Sequence, residues 1–355
     1  MRAAVYHGQR DVRVEDVDPR PVGPDDVEIE VAYCGICGSD VHEYAAGPIA
    51  IPDENPHPLT DETLPLTLGH EFSGTVREVG EAVDDVAVGD RVTVNPAIWC
   101  GDCRFCQEGD YHRCVAGGSI GLAGWGGGLA ERAVVPATQV VPVPDDVGLD
   151  YAALAEPYAV ALHAVRRSSL QSGDDCVVFG AGPIGLGIAQ TSRLAGARRV
   201  YVSEPQDGRR AVADELGMEA IDPTEDDPVR LVSSETDGGA DVAYEAAGVE
   251  PALEAALRTT VRGGEVLLVS VFEEEATIQP NYLMMAERSI VGSIAYRTGP
   301  RAADYEFAAV LEAIADGRLD PEPLVTKRIG LDDVVKDGFD ALTDPDEQVK
   351  ILVSP

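Results

Sequence analysis

The chain has 355 residues, 45% of them hydrophobic and only 5% aromatic, with 63 acids against 27 bases and a formal net charge of −36. That length exceeds one ordinary core and predicts two domains, while the hydrophobic fraction excludes global disorder. The charge excludes a simple nucleic-acid binder, because so acidic a surface repels phosphate and no Lys/Arg stripe offsets it, and no apolar run approaches the ~18 residues that span a membrane.

The segment Met1 to Asp11 has no signal-peptide core, so a cytoplasmic protein is expected. Only three of the 27 bases are lysines, namely Lys327, Lys336 and Lys350. Acidic excess with so little lysine predicts a salt-adapted organism. Acidity alone would suit a mesophilic enzyme equally well.

Residues 1 to about 155 are rich in Val, Gly, Pro and Asp. Val27 to Tyr33, Gly74 to Val79 and Arg91 to Val94 read as short strands between turns, predicting a β-rich domain of barrel or sandwich type. Within it, Cys100, Cys103, Cys106 and Cys114 form a C-x2-C-x2-C-x7-C run. Four thiolates in one loop suit tetrahedral zinc, and a site closed by four cysteines has no open position, so it should stabilise and not catalyse. A second set is dispersed: Cys37, His70, Glu71 and Glu156. Sulfur, imidazole and carboxylate together suit a zinc that keeps a position for water or substrate. Cys34 and Cys37 have the spacing of a redox pair but lack the βαβ context, so Cys34 reads as a bystander.

The pattern changes near Tyr151. Tyr151 to Val165 reads as a helix and Cys176 to Phe179 as a buried strand. Gly180-Ala181-Gly182-Pro183-Ile184-Gly185 then opens a helix. Strands at Arg199 to Ser203, Asp241 to Tyr244, Glu265 to Val271 and Ser289 to Ala295 alternate with helices ending at Leu216 and starting at Pro251. That alternation predicts a doubly wound parallel sheet. Gly180, Gly182 and Gly185 permit a tight turn, close approach of a pyrophosphate and helix packing, and Pro183 suits the first helical turn. Glu204 ends the next strand, where an acid binds the ribose hydroxyls and repels a 2′-phosphate, favouring NAD. Arg209 and Arg210 stand close enough to hold a phosphate instead. Cys176 reads as a small core residue. The tail reads as helices at Asp304 to Ala315 and Leu331 to Leu342 and a strand at Val349 to Val353.

Taken together, the chain resembles the zinc-dependent medium-chain alcohol dehydrogenase/reductase family over its whole length. The resemblance lies in Cys37-Gly38-Ser39-Asp40-Val41-His42, Gly69-His70-Glu71-Phe72-Ser73-Gly74, the four-cysteine lobe, Glu156-Pro157 and the Gly-rich turn. Within the family it is most similar to the 2,3-butanediol dehydrogenases, through Gly47-Pro48-Ile49 to His57-Pro58-Leu59-Thr60, Pro280-Asn281 and Gln348 to Val353. The resemblance implies a GroES-like catalytic domain made from both chain ends (1–155 and 296–355) and a Rossmann domain at 156–295. It implies two zinc ions per chain and NAD, and a homodimer or homotetramer through the Rossmann domain. The catalytic ion would be held by Cys37 and His70, with Glu71 or Glu156 completing the set.

Ser39 matches the hydroxyl that receives the alcohol proton, His42 the exit of that relay, and Asp40 a supporting acid. Sorbitol-type members carry Tyr and Arg where this chain has Glu43 and Ala295, while Tyr296 is retained. The substrate implied is a small secondary alcohol or vicinal diol, oxidised to its ketone and re-formed in reverse. Threonine, a polyol or a sugar stays open, as does an NAD sensor that keeps zinc only for structure.

Overall fold

The computed structural model describes residues 1–299, 305–343 and 348–355. Two large sheets carry the described chain, one mainly antiparallel and one fully parallel.

The antiparallel sheet is organised by the strand Asp26–Gly35, whose Val27, Ile29 and Val31 are buried. It pairs with Glu71–Val79 on one side and Arg132–Pro136 on the other. At its far end it also pairs with the C-terminal strand Lys350–Ser354. Gly35 stands opposite Glu71 and opposite Leu352. The two chain ends are thereby joined, and residues 279 positions apart meet at one strand end. A three-stranded sheet of Arg2–Gly8, Asp11–Asp16 and Leu66–Thr67 lies beside it.

The parallel sheet runs Glu219–Ile221, Arg199–Ser203, Asp175–Phe179, Ala240–Glu245, Thr260–Leu268, Ser289–Gly292. Counting from Asp175–Phe179, that is the order 3-2-1-4-5-6 of a dinucleotide-binding sheet, with the strand order reversing beside Phe179. Its central strands Asp175–Phe179, Arg199–Ser203 and Ala240–Glu245 are almost wholly buried, on both faces as parallel sheets require. The helices Ala155–Arg167 and Pro183–Leu194 cover one face.

Several boundaries differ from the sequence reading. The helix expected over 151–165 is broken at Ala153 and Leu154 into Leu149–Ala152 and Ala155–Arg167. The strand expected at 265–271 runs from Thr260 to Leu268, because it continues through Gly263 and Gly264. It ends where the N–H groups of Val269 and Ser270 converge on the Glu245 carbonyl. The last parallel strand stops at Gly292, and Ala295 has left-handed backbone (φ 47°), which a strand does not accommodate. Glu219–Ile221 and the helix Pro228–Glu235 were not read from the sequence. The segment expected as a helix over 331–342 is a 3-10 turn, a π turn and the short helix Asp340–Thr343. Asp304, the expected start of the preceding helix, lies outside the described residues, and the helix itself is Glu306–Ala315.

Candidate active site and metal centres

Four thiols in one loop make the first centre. The short helix Arg104–Gln107 starts at Cys103, and the turn Tyr111–Arg113 delivers Cys114. The Sγ atoms lie 3.5 Å (Cys114 to Cys100), 3.6 Å (Cys103 to Cys106) and 4.0 Å (Cys100 to Cys106) apart. Tetrahedral zinc with Zn–S near 2.3 Å sets its sulfurs about 3.8 Å apart, so the lobe has the dimensions of the ion. No pair is bonded as a disulfide. Backbone N–H groups of Cys106 and Val115 draw the Cys103 thiol down to about 6, and burial pushes Cys106 up to about 12.

The second centre is assembled from distant elements. Cys37 caps the helix Gly38–Ala46, and its N–H donates to Asp40 Oδ2 at 2.9 Å. The other Asp40 oxygen faces His70 Nδ1 at 3.5 Å, and both atoms are buried without a further partner. The opposite ring nitrogen, Nε2, lies 3.3 Å from Ser39 Oγ. Ligand atoms of Cys37, His70 and Glu71 lie within 4.8 Å of one another. Burial opposes a charge on His70, yet Asp40 and Cys37 outweigh it and hold the ring well above its usual range. The thiol, imidazole and carboxylate gathered here suit a dication, and an outer acid orienting a ligating histidine is the usual support of a metal site.

The two candidate acids are placed differently. Glu71 is committed elsewhere: Lys350 Nζ donates to both of its oxygens, at 2.8 and 2.6 Å, and to Ile36 O at 3.0 Å. Both side chains are about 1% exposed. Gly35 makes the room, since a Cβ there would lie 2.1 Å from Glu71 Oε2. Glu156 stands in the first turn of the helix Ala155–Arg167, buried and faced by Tyr296. Burial pushes it up to about 7, with His70 lowering and Glu71 raising it. Lys350 and Glu43 are the residues whose roles the sequence reading missed or left blank. A lone lysine inside the apolar run Val349 to Val353 of a lysine-poor chain was the available signal. Glu43 accepts the N–H groups of Ile49, Ala50 and Ile51, so it braces a loop.

The Gly-rich turn follows the strand Asp175–Phe179 and caps the helix Pro183–Leu194, with Pro183 and Ile184 in its first turn. Gly180 has φ +101°, and a Cβ on Gly185 would lie 1.9 Å from Gly180 O. A Cβ on Gly182 would meet nothing within 4 Å, so this backbone faces open space, as a pyrophosphate cradle must. Glu204 is buried and accepts from Ala181 N at 2.8 Å and Gln206 N at 3.0 Å. Arg209 donates to Gln348 O, and Arg210 is held by the Glu204 and Pro205 carbonyls and by Asp207 and Asp222. Cys34 and Cys176 are fully buried, with thiols raised by burial, as expected of bystanders.

Residues 23–145 match the family model of the alcohol dehydrogenase GroES-like domain, and residues 183–316 that of the zinc-binding dehydrogenases. The chain belongs to the zinc-dependent medium-chain alcohol dehydrogenase family. It is 44% identical to an (R,R)-butanediol dehydrogenase of Bacillus subtilis (strain 168), with 100% of both chains covered. An (R,R)-butanediol dehydrogenase of Neisseria gonorrhoeae is 39% identical, covering 100% of this chain and 99% of that protein. The crystal structure of 2R,3R-butanediol dehydrogenase from Bacillus subtilis superposes with a TM-score of 0.92 at 44% identity, covering 100% and 99%. The expected family and its two-part α/β fold, GroES-like and Rossmann, are therefore borne out.

Proposed function

We propose that the chain interconverts 2,3-butanediol and acetoin with zinc and NAD. Full-length identity of 44% to a butanediol dehydrogenase carries this reading. Glu43 and Ala295, which replace the residues of the sorbitol-type pattern, set it ahead of the polyols; Glu43 is occupied with backbone N–H groups. A non-catalytic sensor would need no open ligand set beside Ser39.

Cys37, His70 and Glu156 would hold the catalytic zinc, and Cys100, Cys103, Cys106 and Cys114 the structural one. Glu71, paired with Lys350, would neutralise the buried lysine beside the site and leave Glu156 as the exchangeable ligand. When bound, zinc supplies a Lewis acid for the alcohol oxygen and NAD the hydride acceptor. Ser39 Oγ, beside His70 Nε2, is placed to take the alcohol proton and pass it towards His42. Asp40 keeps His70 oriented throughout. Gly180 to Gly185 would seat the pyrophosphate and Glu204 the adenosine ribose, whose extra phosphate in NADP its carboxylate would repel.

The same reading divides the chain at 155/156 and 295/296. It pairs subunits along the edge strand Ser289–Gly292, near which Val271, Met284, Met285 and Ile294 are exposed. It places the enzyme in a salt-adapted cytoplasm, where its seven cysteines, none paired in a disulfide, stay reduced. Melting temperature should then rise from low to molar potassium chloride, as charge repulsion is screened; a flat or falling trend would remove that adaptation.

The function is tested by initial rates of NADH formation with butanediol stereoisomers, threonine, sorbitol and glucose. (2R,3R)-Butanediol should give the highest kcat/KM. Threonine or sorbitol leading by tenfold would overturn the assignment.

A further inference from the structure

His42, at the proposed exit of the proton path, is met from the other half of the molecule. It lies on the helix Gly38–Ala46, beside the antiparallel sheet. Its Nδ1 is in hydrogen-bond contact with Glu273 Oε1. Glu273 is five positions beyond Leu268, where the fifth strand of the parallel sheet ends. Ligands of such sheets sit outside the carboxyl ends of the strands. The pair therefore joins the helix Gly38–Ala46 to the carboxyl end of the parallel sheet, the end at which Gly182 also lies.

A histidine has two inequivalent nitrogens, and the hydrogen bond made by one sets the state of the other. A carboxylate only accepts, so Nδ1 must carry its proton to meet Glu273. Nε2 is then the basic nitrogen. We infer that Glu273 is a positioning residue for His42: it fixes the Nδ1–H tautomer from the other half of the molecule and leaves Nε2 free to take the alcohol proton. In each oxidation one proton arrives at Nε2, the imidazolium is offset by the Glu273 carboxylate, and the same proton leaves to water. The contact joins the two halves, so the orientation of His42 depends on both. This inference rests on the relay role proposed for Ser39 and His42.

The bland alternative is a surface ion pair of no consequence. The side chains are 37% and 60% exposed, and exposed pairs contribute little to stability. Turnover separates the two. Glu274 and Glu275 follow directly and carry the same charge, and among the described residues only Glu273 has a hydrogen bond or ion pair with the His42 ring.

The test compares zinc-loaded full-length Glu273→Ala, Glu273→Gln, Glu275→Ala, His42→Gln and the His42→Gln/Glu273→Ala double variant, assayed with saturating NAD. Glu273→Ala should lower kcat about tenfold, as large as the smaller losses seen when the acid behind a metal-ligating histidine is removed, with KM for the diol changed less than twofold. Glu273→Gln keeps an amide oxygen for Nδ1–H and should recover most of the loss. Glu275→Ala should match wild type, and Glu273→Ala should cost nothing further once His42 is Gln. Equal kcat for Glu273→Ala and Glu275→Ala, or losses that multiply in the double variant, would overturn the inference while leaving the relay intact. Wild-type kcat in His42→Gln would overturn the relay itself, and the inference with it.

Discussion

The two zinc centres are built on opposite plans. The four-cysteine lobe takes all its donors from fifteen consecutive residues, Cys100 to Cys114, and closes on itself. The candidate centre at Cys37 brings together a helix cap and a strand start at His70 and Glu71, and the proposed reading adds Glu156 from a helix that covers the other sheet. A closed local set ties down a loop and nothing else. A distributed set could leave one position open, with Asp40 against His70 Nδ1 and Ser39 against His70 Nε2. The difference teaches that stability and chemistry are separately addressable in this chain, and variants should divide accordingly.

The largest effect should come from the closed set. Cys103→Ala removes one of four thiolates from an ion whose binding free energy in small zinc domains is of order 10 kcal/mol. Thermal unfolding should begin far below wild type, with one zinc lost, while the remaining folded protein still oxidises diol. Unchanged melting with one zinc missing would break the comparison, since the lobe would then stabilise nothing.

Next is Lys350→Met, which sharpens it. This variant leaves the Glu71 carboxylate buried without its cation, and removing one partner of such a pair costs about 3–5 kcal/mol. Denaturant unfolding should report that loss, and Lys350→Met/Glu71→Gln should regain most of it. The open centre would then contain one element of stability that is an ion pair and not the metal. Equal stability of Lys350→Met and wild type would show that the pair is not formed.

A smaller effect is expected at the cofactor turn, which is local like the lobe except for Glu204. Glu204→Ala should narrow the preference for NAD over NADP by about tenfold, or ~1.4 kcal/mol. It should also raise KM for NAD, because Ala181 and Gln206 lose an acceptor. A wild-type preference for NADP would reverse the reading and point to Arg209.

What could be read in the sequence follows the same division. The lobe, the Gly-rich turn and strands such as Arg91–Val94 and Arg199–Ser203 are contiguous, so spacing and hydrophobic pattern disclose them. The strand Glu219–Ile221 buries only Ile221, and the helix Pro228–Glu235 buries only Pro228 and Val232, too little for a period to register. Of the distributed set, the structure brings Cys37, His70 and Glu71 together, as the sequence reading grouped them, but the engagement of Glu71 by Lys350 was not legible. That depends on Lys350 arriving from the chain end, through the pairing of Leu352 with Gly35. The same holds for Glu273, which reaches His42 across 231 positions.

Zinc content measured together with diol turnover in Cys37→Ala tests the central claim most directly. Two centres with separate roles predict one zinc per chain, no NADH formation from (2R,3R)-butanediol and a melting temperature within a few degrees of wild type. Retained turnover, or loss of both zinc ions with collapse of the fold, would contradict it.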